Sequence, residues 1–390
     1  MPDTAGYLFI GAVAAIVTFI ATPLTVRLAL RRGWVVAPDE RRVHQVPTPH
    51  VGGIAMFLGF VVALGLAWRM GRFSPIFNNN SEPMGVLMAA LVIFATGLVD
   101  DVREISSPAK VTGTVIAGLF LVWFGATMFY FRVPFVDVFV LSDDWVPLIT
   151  ILWLMGMSQA INLIDGLDGL AAGIVAIAAA SFFLYSRRLD TLGVLAQPNI
   201  GPLIAIIALG VCLGFLPHNF NNAKIFMGDS GALFLGLLMA VSTSVVGGRA
   251  DPNSQAYIPG QTYFFLAPLF IPLFILGVPI LDMIFAIVRR TVGRQGLATA
   301  DKGHLHHRLV DLGHGQRRSV LILWLWTALL SGFVLYPIFT DARTALIPIG
   351  TLAIALSLYT VLHPEVRRIR KDSRSGNSDQ DATEELPRPR

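Results

Sequence analysis

The stretch Asn162-Leu163-Ile164-Asp165-Gly166-Leu167-Asp168-Gly169 places an amide and two carboxylates between two long apolar runs. A glycine after each Asp lets the backbone turn tightly and come close to a ligand. Such a polar knot beside hydrocarbon is unfavourable unless a charge or ligand compensates it. Three more clusters share this character: Asp100-Asp101, the segment from Asn219 to Phe226-Met227-Gly228-Asp229-Ser230-Gly231, and His304-Leu305-His306-His307-Arg308. Hard carboxylate oxygens suit Mg²⁺ or Mn²⁺, and Mg²⁺ usually takes one or two carboxylates together with phosphate oxygens and water. Asp100, Asp101, Asp165, Asp168 and Asp229 therefore exceed what one ion needs, and they are not all ligands. The histidines, with Lys302 and Arg308 nearby, suit a transition metal or phosphate oxygens. No His-Glu-x-x-His pattern and no Walker-type loop occurs, which disfavours a zinc hydrolase and a P-loop nucleotide site.

Each cluster also has a plainer explanation. Asp168 and Asp229 both stand just before apolar runs, where an Asp can cap a helix. Asp100-Asp101 closes an apolar run, where the helix dipole is negative and the two carboxylates repel each other, with Arg103 and Lys110 available to compensate. Capping does not account for Asn162 or Asp165. Asp282 lies within an apolar run after Pro279, as a functional group of the span or as a partner of Arg289 or Arg290.

The elements that must position these groups are membrane helices. Of 390 residues 54% are hydrophobic and only 14% charged, against roughly 25% charged in soluble domains. The expected class is an all-α polytopic membrane protein of about eleven spans. They are placed near 5–28, 52–68, 84–99, 110–126, 147–162, 169–186, 200–216, 230–247, 263–288, 320–338 and 344–362. The first lacks a preceding basic residue and is too long for a signal-peptide core, so it is read as a retained helix. Residues 1–366 form the membrane domain, and the charged, Ser/Gly/Pro-containing stretch 367–390 is expected to be a disordered cytoplasmic tail. Partial alternation and aromatics within 127–146 allow a short hairpin or an interfacial segment.

With the N-terminus outside and the C-terminus cytoplasmic, 22 of the 29 Lys and Arg residues fall on the inner side, as the positive-inside rule requires. The sequence pI near 9.4 then reflects membrane orientation rather than nucleic-acid binding. The single Cys212 lies in an apolar run and excludes an intrachain disulfide. In this topology all four polar clusters open to the same inner compartment.

In this order the clusters resemble the polyprenyl-phosphate N-acetylhexosamine-1-phosphate transferase family. The likeness runs from Arg41-Arg42-Val43-His44 and Pro49-His50-Val51-Gly52-Gly53, through Asp100-Asp101, Asn162-x-x-Asp165-Gly166-x-Asp168-Gly169 and Asn219 to Asp229, to His304-x-His306-His307. The family's reaction implies attack of a polyprenyl phosphate on a UDP-sugar in the plasma membrane, at its cytoplasmic face. The products are polyprenyl-diphospho-sugar and UMP, and the step opens cell-envelope glycan synthesis. The resemblance implies Mg²⁺, with Mn²⁺ as a substitute, held by Asp229 with Asp101. It also implies stacking of Phe226 on uracil and a nucleotide and pyrophosphate site lined by Asn162, Asp165, Asp168 and Asn219. Asp100, Asp101, Asp165, Asp168 and His304 carry over as catalytic positions. Arg41, His44, Lys110, His306, His307 and Arg308 carry over as substrate-binding ones. The His-x-His-His form resembles the branch that transfers N-acetylglucosamine 1-phosphate. UDP-GalNAc and UDP-MurNAc-pentapeptide are the alternative donors, and a homodimer is an expected form.

One departure is Asn222, where relatives often have proline. Asp100 is sometimes cast as a base, but a phosphate monoester with a second pKa near ~6 is already mostly doubly charged at neutral pH. Metal or Lys/Arg organisation by Asp100 is the favoured reading. An ion-coupled transporter, the rival of another class, would hold its carboxylates near the bilayer midplane. A lipid scaffold would leave the acids without a purpose.

Overall fold

Nearly every apolar run of the chain becomes a helix. The computed structural model describes residues 2–36, 47–128, 130–133, 137–248, 276–292, 309–310, 314–339 and 346–362. Its helices are α1 (Thr4–Arg32), α2 (Gly53–Arg69), the short α3 (Ser74–Phe77), α4 (Glu82–Arg103), α5 (Ser107–Trp123) and α6 (Trp145–Ile164). They continue with α7 (Leu170–Thr191), α8 (Gly201–Asn219), α9 (Gly228–Gly247), α10 (Gly277–Val292), α11 (Gly315–Phe339) and α12 (Leu346–Leu362). A helix lies in each expected span, although α5 ends at Trp123, short of 126, and 263–275 and 344–345 lie outside the described residues.

Among the described residues seven helices are at least 18 residues long and apolar enough to cross a membrane. By contrast α2, α5 and α12 have 17 residues and α10 has 16. At 1.5 Å per residue these four are about 24–26 Å long, short of the ~30 Å hydrocarbon layer. The fold is an all-α polytopic membrane protein.

Local chemistry explains several ends. Asp3 caps α1 by accepting from the Gly6 amide at 3.1 Å. Gly33 closes the helix at φ 72°, after Arg31 and Arg32 in its last turn, where cations suit the dipole. Prolines open α4, α5 and α8 in their first turn, where a missing amide hydrogen is harmless. Two small antiparallel ladders complete the described structure. β1 (Val35–Val36) pairs with β2 (Thr48–Pro49), and β3 (Tyr130–Val133) pairs with β4 (Asp137–Val140). The second ladder is the hairpin allowed by the alternation in 127–146.

Helix α9 is the axis of the bundle, with every residue from Ser230 to Gly247 buried. It packs against α2, α4, α6, α7 and α8, and a helix apolar on all sides belongs in such a place. Outer helices keep large apolar residues exposed, for example Leu8, Phe9, Ile16 and Leu24 on α1. The C-terminal end of α1 and the N-terminus of α2 meet the ends of α4 to α9 at one pole. At the other pole Trp68, Trp123 and Trp145 stand exposed near the ends of α2, α5 and α6. Exposed tryptophans of this kind mark a membrane–water boundary.

Candidate functional site

The site is built on the turn into α9. Gly228 has φ +67°, and a Cβ there would lie 2.0 Å from the His50 carbonyl oxygen and 2.6 Å from the Asp101 carboxylate, so only glycine fits. The segment after β2 lies along this turn. The Phe226 amide donates to Pro49 O at 2.8 Å, and the Gly52 and Gly53 amides donate to Phe226 O and Met227 O, both at 3.0 Å. From the other side α4 supplies Asp101. Its carboxylate accepts from the amides of Asp229 at 2.7 Å and Ser230 at 3.1 Å, and from the Ser230 hydroxyl at 2.5 Å. These are the first amides of α9, and an anion at a helix N-terminus is favoured by their orphan hydrogens and by the dipole.

Held this way, the Asp229 side chain faces three other helix ends. Its carboxylate accepts from Lys110 Nζ of α5 at 2.8 Å and from Asn162 Nδ2 of α6 at 3.0 Å. Lys110 Nζ also lies 2.6 Å from Asp100 Oδ2, while Asp100 Oδ1 accepts from the Ile105 amide at 2.9 Å. One ammonium thus neutralises carboxylates 129 positions apart in the chain. Asp165, just beyond α6, completes the acidic rim. Its carboxyl is pushed up to about 8, first by burial and then by the charges of Asp229, Asp101 and Asp168.

Asp168 and Asn219 are deeper, 4% and 2% exposed. Asp168 Oδ2 accepts from the Ala223 amide at 2.9 Å, Asn219 Oδ1 accepts from Gly169 at 3.0 Å, and Asn219 Nδ2 donates to Ile225 O at 2.9 Å. They brace the α6–α7 turn against the α8–α9 loop. The residue preceding α7 is Gly169, with no side-chain cap, so Asp168 does not serve as the helix cap. Phe226 is half-buried beside this brace. Asn222 adopts φ +67°, a conformation closed to proline, whose ring holds φ near about −65°. The φ of Asn222 thus excludes proline from this position in the turn before Phe226.

Asp100, Asp101, Lys110, Asn162, Asp165 and Asp229 are thus brought together, with Asp168, Asn219 and Phe226 in the adjoining wall. Arg41, His44, His304, His306, His307 and Arg308 lie outside the described residues, as do the side chains of Arg289 and Arg290. Asp282 is buried within α10. Sequence reasoning gave no role to Ser230 or to His50. A Ser directly after Asp229 at a helix start was the available signal for the first.

Among the described residues no three His, Cys, Asp or Glu side chains form a metal cage of their own. Mg²⁺ fills its shell with phosphate oxygens and water around one or two carboxylates. Asp229 and Asp165 fit such a role, as oxygen donors at a partly open rim. Asp101 fits it less well, since its two oxygens accept three bonds from the start of α9, whereas each Asp229 oxygen accepts one side-chain bond.

The profile of glycosyl transferase family 4 matches residues 83–247, the segment from α4 to the end of α9. The decaprenyl-phosphate N-acetylglucosaminephosphotransferase of Mycobacterium tuberculosis is 39% identical over 352 residues, 89% of this chain and 86% of that protein. A probable undecaprenyl-phosphate N-acetylglucosaminyl 1-phosphate transferase of Bacillus subtilis is 37% identical over 80% of each chain. A phospho-N-acetylmuramoyl-pentapeptide-transferase of Staphylococcus epidermidis is 29% identical over 58% of this chain and 73% of its own. With this likeness running through the residues that meet around Asp229, the chain belongs to glycosyl transferase family 4, among the polyprenyl-phosphate N-acetylhexosamine-1-phosphate transferases.

Proposed function

We propose that the protein transfers N-acetylglucosamine 1-phosphate from UDP-N-acetylglucosamine to polyprenyl phosphate at the cytoplasmic face of the plasma membrane, in a Mg²⁺-dependent reaction. An oxygen of the lipid phosphate forms a bond to the β-phosphorus, the bond between that phosphorus and the bridging oxygen breaks, and UMP leaves with that oxygen. The observation that carries this reading is the junction of Asp100, Lys110, Asn162 and Asp229 at one pole of the bundle. Two anionic substrates must meet there, so catalysis rests on charge neutralisation and in-line positioning.

Asp229 and Asp165 would hold Mg²⁺, which when bound would supply Lewis-acid neutralisation of the pyrophosphate. Lys110 brings a cation to the phosphates, and Asn162 holds the Asp229 carboxylate in orientation. Asp100 keeps Lys110 in place and removes no proton. Phe226 offers a ring face to the uracil. The segments carrying Arg41, His44, His304, His306, His307 and Arg308 supply further contacts to sugar and phosphates.

The excess of Lys and Arg on the site side supports a cytoplasmic site with the N-terminus outside. The alternation of α1, α2 and α4–α12 between the poles supports eleven crossings. An ion-coupled transporter is disfavoured because the carboxylates cluster at helix ends.

The test incubates purified protein with polyprenyl phosphate, Mg²⁺ and, in parallel, UDP-GlcNAc, UDP-GalNAc or UDP-MurNAc-pentapeptide, and measures UMP. Release with UDP-GlcNAc and its loss in EDTA are expected. No UMP from any donor refutes the reaction, and undiminished turnover in EDTA refutes the metal's part in it.

A further inference from the structure

We propose that His50 is a positioning residue of this site, fixing the end of α4 so that Asp101 can hold the start of α9 and present Asp229. The ring Nε2 of His50 meets the backbone carbonyl of Asp101. A carbonyl can only accept, so Nε2 carries the proton and donates. That carbonyl is one of the last four of α4, which have no amide partner within the helix. The imidazole therefore terminates α4 from outside.

Asp101 is tied at both ends. Its carbonyl is held by His50 and its carboxylate by the amides of Asp229 and Ser230. The His50 carbonyl in turn sits against Gly228, and its neighbours Pro49, Gly52 and Gly53 pair with Phe226 and Met227. The loop before α2, the end of α4 and the start of α9 form a closed loop of contacts, in which His50 supplies the side-chain link between the first two.

The other ring nitrogen argues that this link is what the residue contributes. His50 Nδ1 is buried and has no hydrogen-bond partner among the described residues. A phenyl ring would fill the same space without leaving a buried polar atom unpaired, so packing alone does not call for histidine here. The imidazole's gain is the single donation to Asp101.

This inference rests on the proposed reaction for its kinetic readout, and its structural readout is independent of it. His50→Phe keeps the ring and loses the donor. His50→Gln places an amide donor at nearly the position of Nε2, and His50→Asn falls short of it. The Phe variant should lose about 10- to 100-fold in kcat for UMP release, the scale of a small misplacement of reacting groups, while KM for the UDP-sugar stays within about threefold. The Gln variant should recover most of kcat with an unchanged pH–rate profile. Hydrogen exchange at the amides of residues 228–231 should quicken in the Phe variant and return to the wild-type rate in the Gln variant.

Wild-type kcat and exchange in the Phe variant overturn the proposal. So does a Gln variant as impaired as Phe, which would make the ring an acid, base or ligand contact. Should the Phe variant fail to fold, the comparison of Gln with Asn decides: equal kcat and equal exchange refute the clamp. An inactive wild type would refute the proposed reaction, and the exchange data would still test His50.

Discussion

The ring of His218 donates from Nε2 to the carbonyl of Phe19 at 3.1 Å. Phe19 stands four residues before Pro23, which lies inside α1, so its carbonyl has no amide hydrogen to receive from that position. His218 on α8 thus replaces a bond that α1 cannot make for itself. The contact continues a parallel register: added Cβ atoms at Gly210 and Gly214 would lie 2.2 Å from Gly11 O and Ala15 O. The next residue after His218 is Asn219, which braces the site wall. His218→Ala should destabilise the protein by about 1 kcal/mol, the worth of a partly exposed hydrogen bond. In the Pro23→Ala background the loss should shrink, because an alanine at that position restores the intrahelical donor. A double-mutant cycle of thermal unfolding in detergent measures that coupling, and strict additivity would refute it.

Lys110 bridges Asp100 and Asp229, with all three side chains 13–28% exposed. Lys110→Met leaves two carboxylates facing each other and should destabilise the fold by about 1–3 kcal/mol, less than for a fully buried pair. UMP release should fall by at least about 100-fold, as when a positioned electrostatic group is lost. Lys110→Arg should recover stability better than activity, since guanidinium geometry differs from that of an ammonium. Thermal unfolding and UMP release of the two variants check this.

Asp165 has its carboxyl raised from 3.8 to about 8. The folded protein therefore retains a proton that the unfolded chain loses at lower pH. The stability tied to this proton is complete below about pH 4, is lost as pH rises to about 8 and stays level above. Asp165→Asn cannot ionise and escapes the loss. Without Mg²⁺, the melting temperature of the variant relative to wild type should rise from pH 6 to pH 8 and then level off. A pH-independent difference would show that the carboxyl is not raised. Activity should fall in the variant at every pH, since the amide is a poorer cation ligand.

Asn222 tests the turn before Phe226. At φ +67° Asn222→Gly should be neutral or nearly so, whereas Asn222→Pro should cost about 1–3 kcal/mol through a forbidden conformation. The Pro variant should also raise KM for the UDP-sugar, by displacing Phe226. Unchanged KM together with unchanged melting would refute this account.

How much was legible in advance follows from the range of each interaction. Helix positions, the hairpin near residue 130 and the four polar clusters could be read from the chain because hydropathy and turn chemistry are local properties. The convergence of the three carboxylate-bearing clusters on one pole followed from counting spans, while the His304–Arg308 cluster lies outside the described residues. Which carboxylate does what could not be read. Asp101, Asp165, Asp168 and Asp229 look alike in sequence, each beside a glycine, a second Asp or a helix end.

Their separate roles come from partners far away in the chain. Asp101 meets the first amides of α9, Asp168 meets Ala223, and Asp229 meets Lys110 and Asn162. The roles of His50 and His218 could not be read for the same reason, since each completes a carbonyl of another helix. The sequence by itself determined a membrane bundle with an acidic face at one pole. Only the tertiary structure decided which groups hold the face together and which are left to meet substrate, because a hydrogen bond extends about 3 Å and only packing brings distant helix ends that close.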